Sequence, residues 1–328
     1  MSSPTSTLST ASQQGRGGTA AKKKTDAGRP AKVRRGGRRR TNGAAYLMLS
    51  PWILGTVGVL LLPLLYSLYL SFTQYDLLSR PHWVGLQNYR EMFTADPRFV
   101  HSIWVTVQYV LASAPLKLLT ALGVALLLAR PRKGQGLYRA LFYLPSLLGT
   151  SVAIAIVWQG TFDVNGPFNQ FLNLFGIKGG AWVSDPSTVR WVIVGLAMWQ
   201  FGAPMVIFLA GLKQIPAELY EAADVDGAGR WRKFASITLP ALSPVILFNL
   251  VVEMIGAFQA FTPAQLVGDG QGGPVDSTLF YTLYLYQKAF TEQQMGYAAA
   301  MAWVLILGLS VLTGLLFWSS RFWVHYGD

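Results

Sequence analysis

Six long runs nearly free of charge constrain this chain more than any other feature. They lie at about 44–73, 102–129, 140–161, 191–212, 237–260 and 297–319. Crossing about 30 Å of hydrocarbon takes roughly 20 mainly apolar residues, so each run is long enough to span a bilayer as a helix. The second run carries Lys117 and the fifth carries Glu253; the other four carry no charge. Composition agrees, with 13% of residues charged against roughly 25% in an ordinary soluble protein. The expected fold class is therefore all-α, a polytopic membrane protein with six transmembrane helices over 44–328, preceded by a tail over 1–43.

The formal net charge of +12 raises nucleic acid as a partner until the charge is located. Residues 1–40 hold eleven Lys or Arg against one acid, Asp26, and the rest of the chain holds sixteen against fourteen. The basicity belongs to the tail, and no nucleic-acid partner is expected. Without aromatic residues and with almost no aliphatic bulk, this tail cannot offset the entropy of ordering and reads as disordered and solvated. The apolar run after Arg40 is about twice the 7 to 15 residues of a signal-peptide core, so it is expected to stay as the first span.

Basic residues accumulate in cytoplasmic loops, which sorts the connections. The tail, Arg130, Arg132, Lys133 and Arg139, the four basic residues of 213–236, and Arg321 place twenty on one side. Arg80, Arg90, Arg98, Lys178, Arg190 and Lys288 place six on the other. Both termini and the 213–236 loop are thus expected in the cytoplasm. On the opposite face, "GPFNQFLNLFGI" is too short to cross and reads as an interfacial helix, and "GDGQGGPVDST" is a run of turn formers.

There is no cysteine, which excludes disulfides, thiolate nucleophiles and cysteine-ligated zinc. His82, His101 and His325 are too scattered to suggest a metal centre. No Gly-x4-Gly-Lys-Ser/Thr occurs, so ATP is not bound here by a P-loop, and no cofactor is expected in this chain.

The cytoplasmic stretch "ELYEAADVDGAGRWRKFASITLP" carries the sharpest local signal. Pro216 and Glu218 suit the first turn of a helix. Ile215, Leu219, Ala222 and Ala223 fall on one helical face, and Glu218, Glu221 and Asp224 on another. About ten helical residues extend only about 15 Å, half a membrane, so this helix lies outside the hydrocarbon. Asp226-Gly227 then breaks it, glycine supplying a left-handed backbone, and a short basic helix leads into the fifth span. By chemistry alone, both a docking knob for another protein and an amphipathic linker on lipid headgroups fit.

Glu221-Ala222-Ala223, three residues, Gly227, nine residues, then Ile237-x-Leu239-Pro240 resembles the signature loop of permease subunits of ATP-binding-cassette importers. "FLAGLKQIPAELYEAADVDGAGRWRKFASITLPAL", "YRALFYLPSLLGTSVAIAIVW", "GPFNQFLNLFGI" and "TLYLYQKAF....GYAAAMAW" extend the likeness over about 45–320, closest to carbohydrate permeases of the maltose and glycerol-3-phosphate type. The subfamily often has a threonine ahead of the paired glycines where this chain has Gln271, and the basic tail lies outside the likeness.

The resemblance implies the type I importer permease fold in a bacterial inner membrane. It implies a second similar permease, two ATPase subunits that bind ATP and Mg, an extracytoplasmic solute-binding protein and a sugar substrate. It assigns Glu218, Glu221, Ala222, Ala223, Asp226, Gly227, Ile237, Leu239 and Pro240 to coupling with the ATPase.

Substrate contacts are sought among polar groups inside the spans, which are costly in hydrocarbon and face a cavity or the bundle interior. Trp199, Gln200, Asn249, Glu253 and Gln259 are the candidates, with interhelical hydrogen bonding as the structural alternative. Helical spacing puts Asn249 and Glu253 on one face and rotates Gln259 away. Lys117 snorkels, pairs internally or, less readily, meets substrate directly. Three rival functions stand beside the sugar importer. One is an importer of a non-sugar solute such as glycerol-3-phosphate, and another is a self-contained secondary transporter, which needs no docking loop. The third is a membrane enzyme using Asp224 and Asp226 as metal ligands, which lacks a second acidic cluster to complete an oxygen cage.

Overall fold

The computed structural model describes residues 40–130, 133–149 and 151–325. The tail expected over 1–43 lies outside these residues as far as residue 39. The chain divides into two compact units, Met1–Val59 and Leu60–Asp328. In the first, helix α1 covers Arg40–Gly55. It therefore begins inside the segment expected to be tail, because a long apolar helix, once nucleated, adds residues at its end for little free energy. A π turn follows over Thr56–Leu61.

The second unit runs through α2 (Leu62–Ser71), the two-residue strands β1 (Thr73–Gln74) and β2 (His82–Trp83), α3 (Gln87–Thr94), α4 (Pro97–Ala129), α5 (Gln135–Leu148) and α6 (Val152–Thr161). It continues through α7 (Pro167–Leu174), α8 (Val189–Trp199), α9 (Gly202–Gln214), α10 (Ala217–Val225) and α11 (Arg230–Lys233). After a second π turn over Phe234–Thr238 come α12 (Leu239–Phe258), α13 (Thr262–Leu266), α14 (Tyr281–Tyr286) and α15 (Met295–Ser320). The antiparallel pair β1–β2 is the one departure from an all-helical fold among the described residues.

Four helical stretches are long and apolar enough to cross a membrane: Tyr46–Ser71, Pro97–Ala129, Arg230–Leu266 and Met295–Ser320. The expected spans 140–161 and 191–212 are instead bent pairs, α5 with α6 at 98° and α8 with α9 at 44°, which brings the total to six when each pair counts as one. Pro145 withdraws a donor from the last turn of α5, and Ser151 restarts α6 by accepting from the Ala153 amide at 3.2 Å. At the second break, Gly202 lets α9 close on α5, since a Cβ there would come within 2.5 Å of the Phe142 carbonyl oxygen.

Helix α4 is the axis of the unit, packing against α8, α9 and α12. Its buried face reads Ser102, Val105, Thr106, Tyr109, Val110, Ser113, Ala114, Leu118, Ala121 and Ala125, at helical spacing. Lipid tails are as apolar as leucine, so hydrophobicity does not drive helices together inside a bilayer; small residues do so by letting backbones approach. Ala121 and Ala125 pack this way in a cluster with Met205, Phe208 and Leu209 of α9. Helix α4 begins well before the expected 102 because Asp96 caps it, accepting from the Phe99 amide at 3.0 Å. The same carboxylate accepts from the hydroxyls of Tyr284 and Tyr297, each at 2.6 Å. Burial pushes the Asp96 carboxyl up, but these donors and the Lys288 charge outweigh it and leave it below the ordinary carboxylate value.

The two extramembrane expectations also take shape. Helix α7 turns Phe168, Asn169 and Leu172 toward the protein and leaves Phe171, Leu174 and Phe175 exposed. In the glycine-rich segment Asp269, Gly270, Gly272, Gly273, Val275 and Asp276 all have positive φ, as consecutive tight turns require.

Candidate functional site

Two places collect the sequence candidates: a cavity among α4, α8 and α12, and the loop between α9 and α12. The cavity has a volume of ≈ 340 Å³. Tyr109, Ser113 and Lys117 of α4, Gln200 at the α8–α9 break, Glu253 of α12, and Gln259 and Phe261 just past its end are among its lining residues.

Lys117 and Glu253 form an ion pair across it, Nζ to Oε2 at 2.8 Å, with side chains 16% and 17% exposed. Of the alternatives left open for Lys117, the structure shows the internal pair. Each partner answers the other, because a lone charge at this depth is costly while a paired one is tolerated. The less favoured alternative, Lys117 beside substrate, also fits its place in the cavity lining. The signal that finds the pair is that the six apolar runs contain one cation and one anion in all.

The five substrate-pathway candidates divide. Gln200, Glu253 and Gln259 line the cavity. Gln200 donates from Nε2 to the Gly149 carbonyl at 3.0 Å, tying the α8–α9 break to the end of α5 and leaving its amide oxygen unengaged by that bond. Gln259 is not rotated away as helical spacing predicts, because α12 ends at Phe258 and Gln259 leaves the helix with φ −93° and ψ 9°. Asn249 and Glu253 do not form one stripe on the cavity. Asn249 is 2% exposed and donates to the Val245 carbonyl of its own helix at 3.0 Å. Trp199 lies half-buried against Trp158, ring centroids 5.8 Å apart, and is not among the cavity lining.

The loop folds as helix, turn, helix. The α10 C-terminus closes with the Ala228 amide donating to the Ala223 carbonyl at 2.9 Å and the Gly227 amide to the Asp224 carbonyl at 3.1 Å. This is the six-to-one and five-to-two pattern that satisfies terminal carbonyls and calls for a left-handed residue. Gly227 supplies it with φ +69°. Tyr220 and Thr238 share a hydrogen bond of 2.9 Å, and Lys233 pairs with Asp224. These contacts tie α10 to the entry of α12.

The expected apolar face splits accordingly. Ile215 and Ala223 are half-buried toward the protein, while Leu219 and Ala222 are exposed. Glu218, Glu221 and Asp226 are exposed beside them, and Ile237, Leu239 and Pro240 sit at the start of the long helix. Val225 and Trp231 are 89% and 84% exposed. A short, internally braced knob thus projects acids and bulky apolar groups together.

The family model described as "Binding-protein-dependent transport system inner membrane component" matches residues 118–323. The "Probable ABC transporter permease protein YesP" of Bacillus subtilis is 49% identical over 289 residues, covering 88% of this chain and 94% of that protein. The "Lactose transport system permease protein LacF" of Rhizobium radiobacter is 33% identical over 282 residues, covering 84% and 93%. A solved structure described as a bacterial ABC transporter involved in the import of the acidic polysaccharide alginate superposes with a TM-score of 0.74 at 22% identity, covering 86% of this chain and 96% of that one; it shares the fold. With more than half its length matched by the family model and a relative at 49% identity over most of the chain, this protein belongs to the inner-membrane permease components of binding-protein-dependent ABC transport systems.

Proposed function

We propose that this chain forms half of the translocation pathway of an ATP-driven sugar importer and takes its energy from a separate ATPase through the Ile215–Pro240 loop. The observation that carries the reading is the loop itself. It is braced from within by its capped turn, the Tyr220–Thr238 bond and the Asp224–Lys233 pair, yet its acids, Val225 and Trp231 stand exposed. A linker lying on headgroups needs neither the bracing nor four acids on its surface. The lactose named for one relative supports a carbohydrate substrate, and the cavity offers amide, ammonium and carboxylate groups beside the aromatic rings of Tyr109 and Phe261.

In this reading ATP and Mg bind to the two ATPase subunits, a second permease completes the pathway, and a solute-binding protein delivers sugar on the opposite face. Closure of the ATPases moves the knob, and the knob moves α9 and α12, between which it is anchored. For the shift to depend on ligand, sugar and nucleotide have to favour different arrangements of these helices. Both termini are cytoplasmic. A cysteine at Val275, 85% exposed, should react with an impermeant thiol reagent in intact cells while one at Gly229 does not; the reverse pattern inverts the topology.

The test of function is purification through this chain from native membranes, followed by reconstitution. The assembly should contain an ATP-binding subunit, and sugar uptake into vesicles should require ATP and a solute-binding protein. Uptake driven by an ion gradient with no ATPase present would make the chain a secondary transporter instead.

A further inference from the structure

We propose that the Lys117–Glu253 pair holds the cavity electrically neutral and thereby selects uncharged sugars over uronate or sulfonate sugars of the same size, an inference that rests on the cavity being the sugar route. Among the described lining residues, Lys117 and Glu253 are the charged ones, and at 2.8 Å each is already matched. They come from α4 and α12, so the match is made by the fold and not by neighbours in sequence.

An incoming carboxylate finds no free cation. To engage a remaining Lys117 N–H it has to sit beside Glu253, placing two carboxylates on one ammonium in a largely desolvated space, an arrangement that like-charge repulsion disfavours. A hydroxyl meets no such conflict. The ammonium has three donors and the carboxylate about four acceptor positions, and one contact between them is used. The amide oxygen of Gln200 and the exposed amide of Gln259 add neutral partners, and Tyr109 and Phe261 add apolar surface. Every polar group that remains available is suited to a hydroxyl.

The experiment is equilibrium binding of maltotriose and of trigalacturonate to the complete importer in lipid nanodiscs. The solute-binding protein is omitted so that its own preference is not read. The parent should bind maltotriose at least roughly tenfold more tightly. Glu253→Gln releases the cation and should shrink that ratio by roughly tenfold or invert it, and Lys117→Gln should widen it by a similar factor. The double variant K117Q/E253Q should return to the parent ratio. A pair serving only to brace α4 against α12 would weaken both sugars alike in each single variant and leave the ratio in place, which overturns the proposal. Trigalacturonate binding as tightly as maltotriose in the parent overturns it too, and that outcome does not depend on any variant assembling. A parent that binds neither sugar shows that the cavity is not the route, so the underlying reading fails and the proposal with it.

Discussion

In the loop between α9 and α12, Lys233 and Asp224 pair across nine residues, with side-chain exposures of 17% and 67%. In the cavity, Lys117 and Glu253 pair between helices separated by more than a hundred residues, with exposures of 16% and 17%. The chemistry is the same, the lysines are similarly covered, and the acids differ: Asp224 stands in water and Glu253 does not. Lys233 is 17% exposed, but water reaches the Asp224 carboxylate, screens the loop pair from that side and hydrates the acid if the lysine leaves, so the pair adds at most about 1 kcal/mol. In the cavity the protein has replaced most of the water, and removing one partner strands the other. In the proposed reading, charge in the loop meets another protein and charge in the cavity cancels.

This contrast can be broken experimentally, starting with the largest expected effect. Glu253→Leu should lower sugar uptake by reconstituted vesicles at least roughly tenfold, about 1.4 kcal/mol, while the ATPase still co-purifies. Uptake like the parent's would make Glu253 a bystander. Next, Gly227→Val forces a β-branched residue to φ +69°. A Cβ there meets nothing within 4 Å, so the penalty is conformational alone, on the order of 1–3 kcal/mol. Uptake should fall several-fold with sugar binding in the cavity unchanged, and Gly227→Asn should retain more uptake, since asparagine tolerates the left-handed region. Loss of sugar binding in Gly227→Val would mean that the two regions are not separable. The smallest effect belongs to Asp224→Ala, which removes the exposed pair and should leave uptake within about twofold of the parent, under ~1 kcal/mol. A loss as large as that of Glu253→Leu would erase the distinction between the two pairs.

The loop was legible in the sequence because its determinants are local. Pro216, Glu218 and the Asp226-Gly227 step set a helix start and a left-handed stop within a dozen residues, and the structure follows them. What spacing missed was which side of α10 packs inward. Tyr220 decides this by reaching Thr238 beyond the turn.

The cavity was legible only in part. Intramembrane polarity singled out Gln200, Glu253 and Gln259, which line it. Nothing in the spacing told that Asn249 would be satisfied by its own helix, or that α12 would end in time to return Gln259 to the cavity. The two bent spans were hidden for a related reason. Hydropathy averages over a window and does not register a proline or a close glycine contact, yet Pro145 lies in the last turn of α5 and Gly202 opens α9 against α5.

The central claim, that the Ile215–Pro240 loop is the contact through which a separate ATPase drives this permease, is tested most directly by cross-linking. The chain has no cysteine, so a single one placed at the exposed Ala222 is unique in it. In native membranes a short bifunctional thiol reagent should join that cysteine to an ATP-binding subunit, and the yield should change when ATP is added. A cysteine at position 222 that reacts freely with a soluble thiol reagent but yields no cross-link to an ATPase, with or without ATP, would contradict the account.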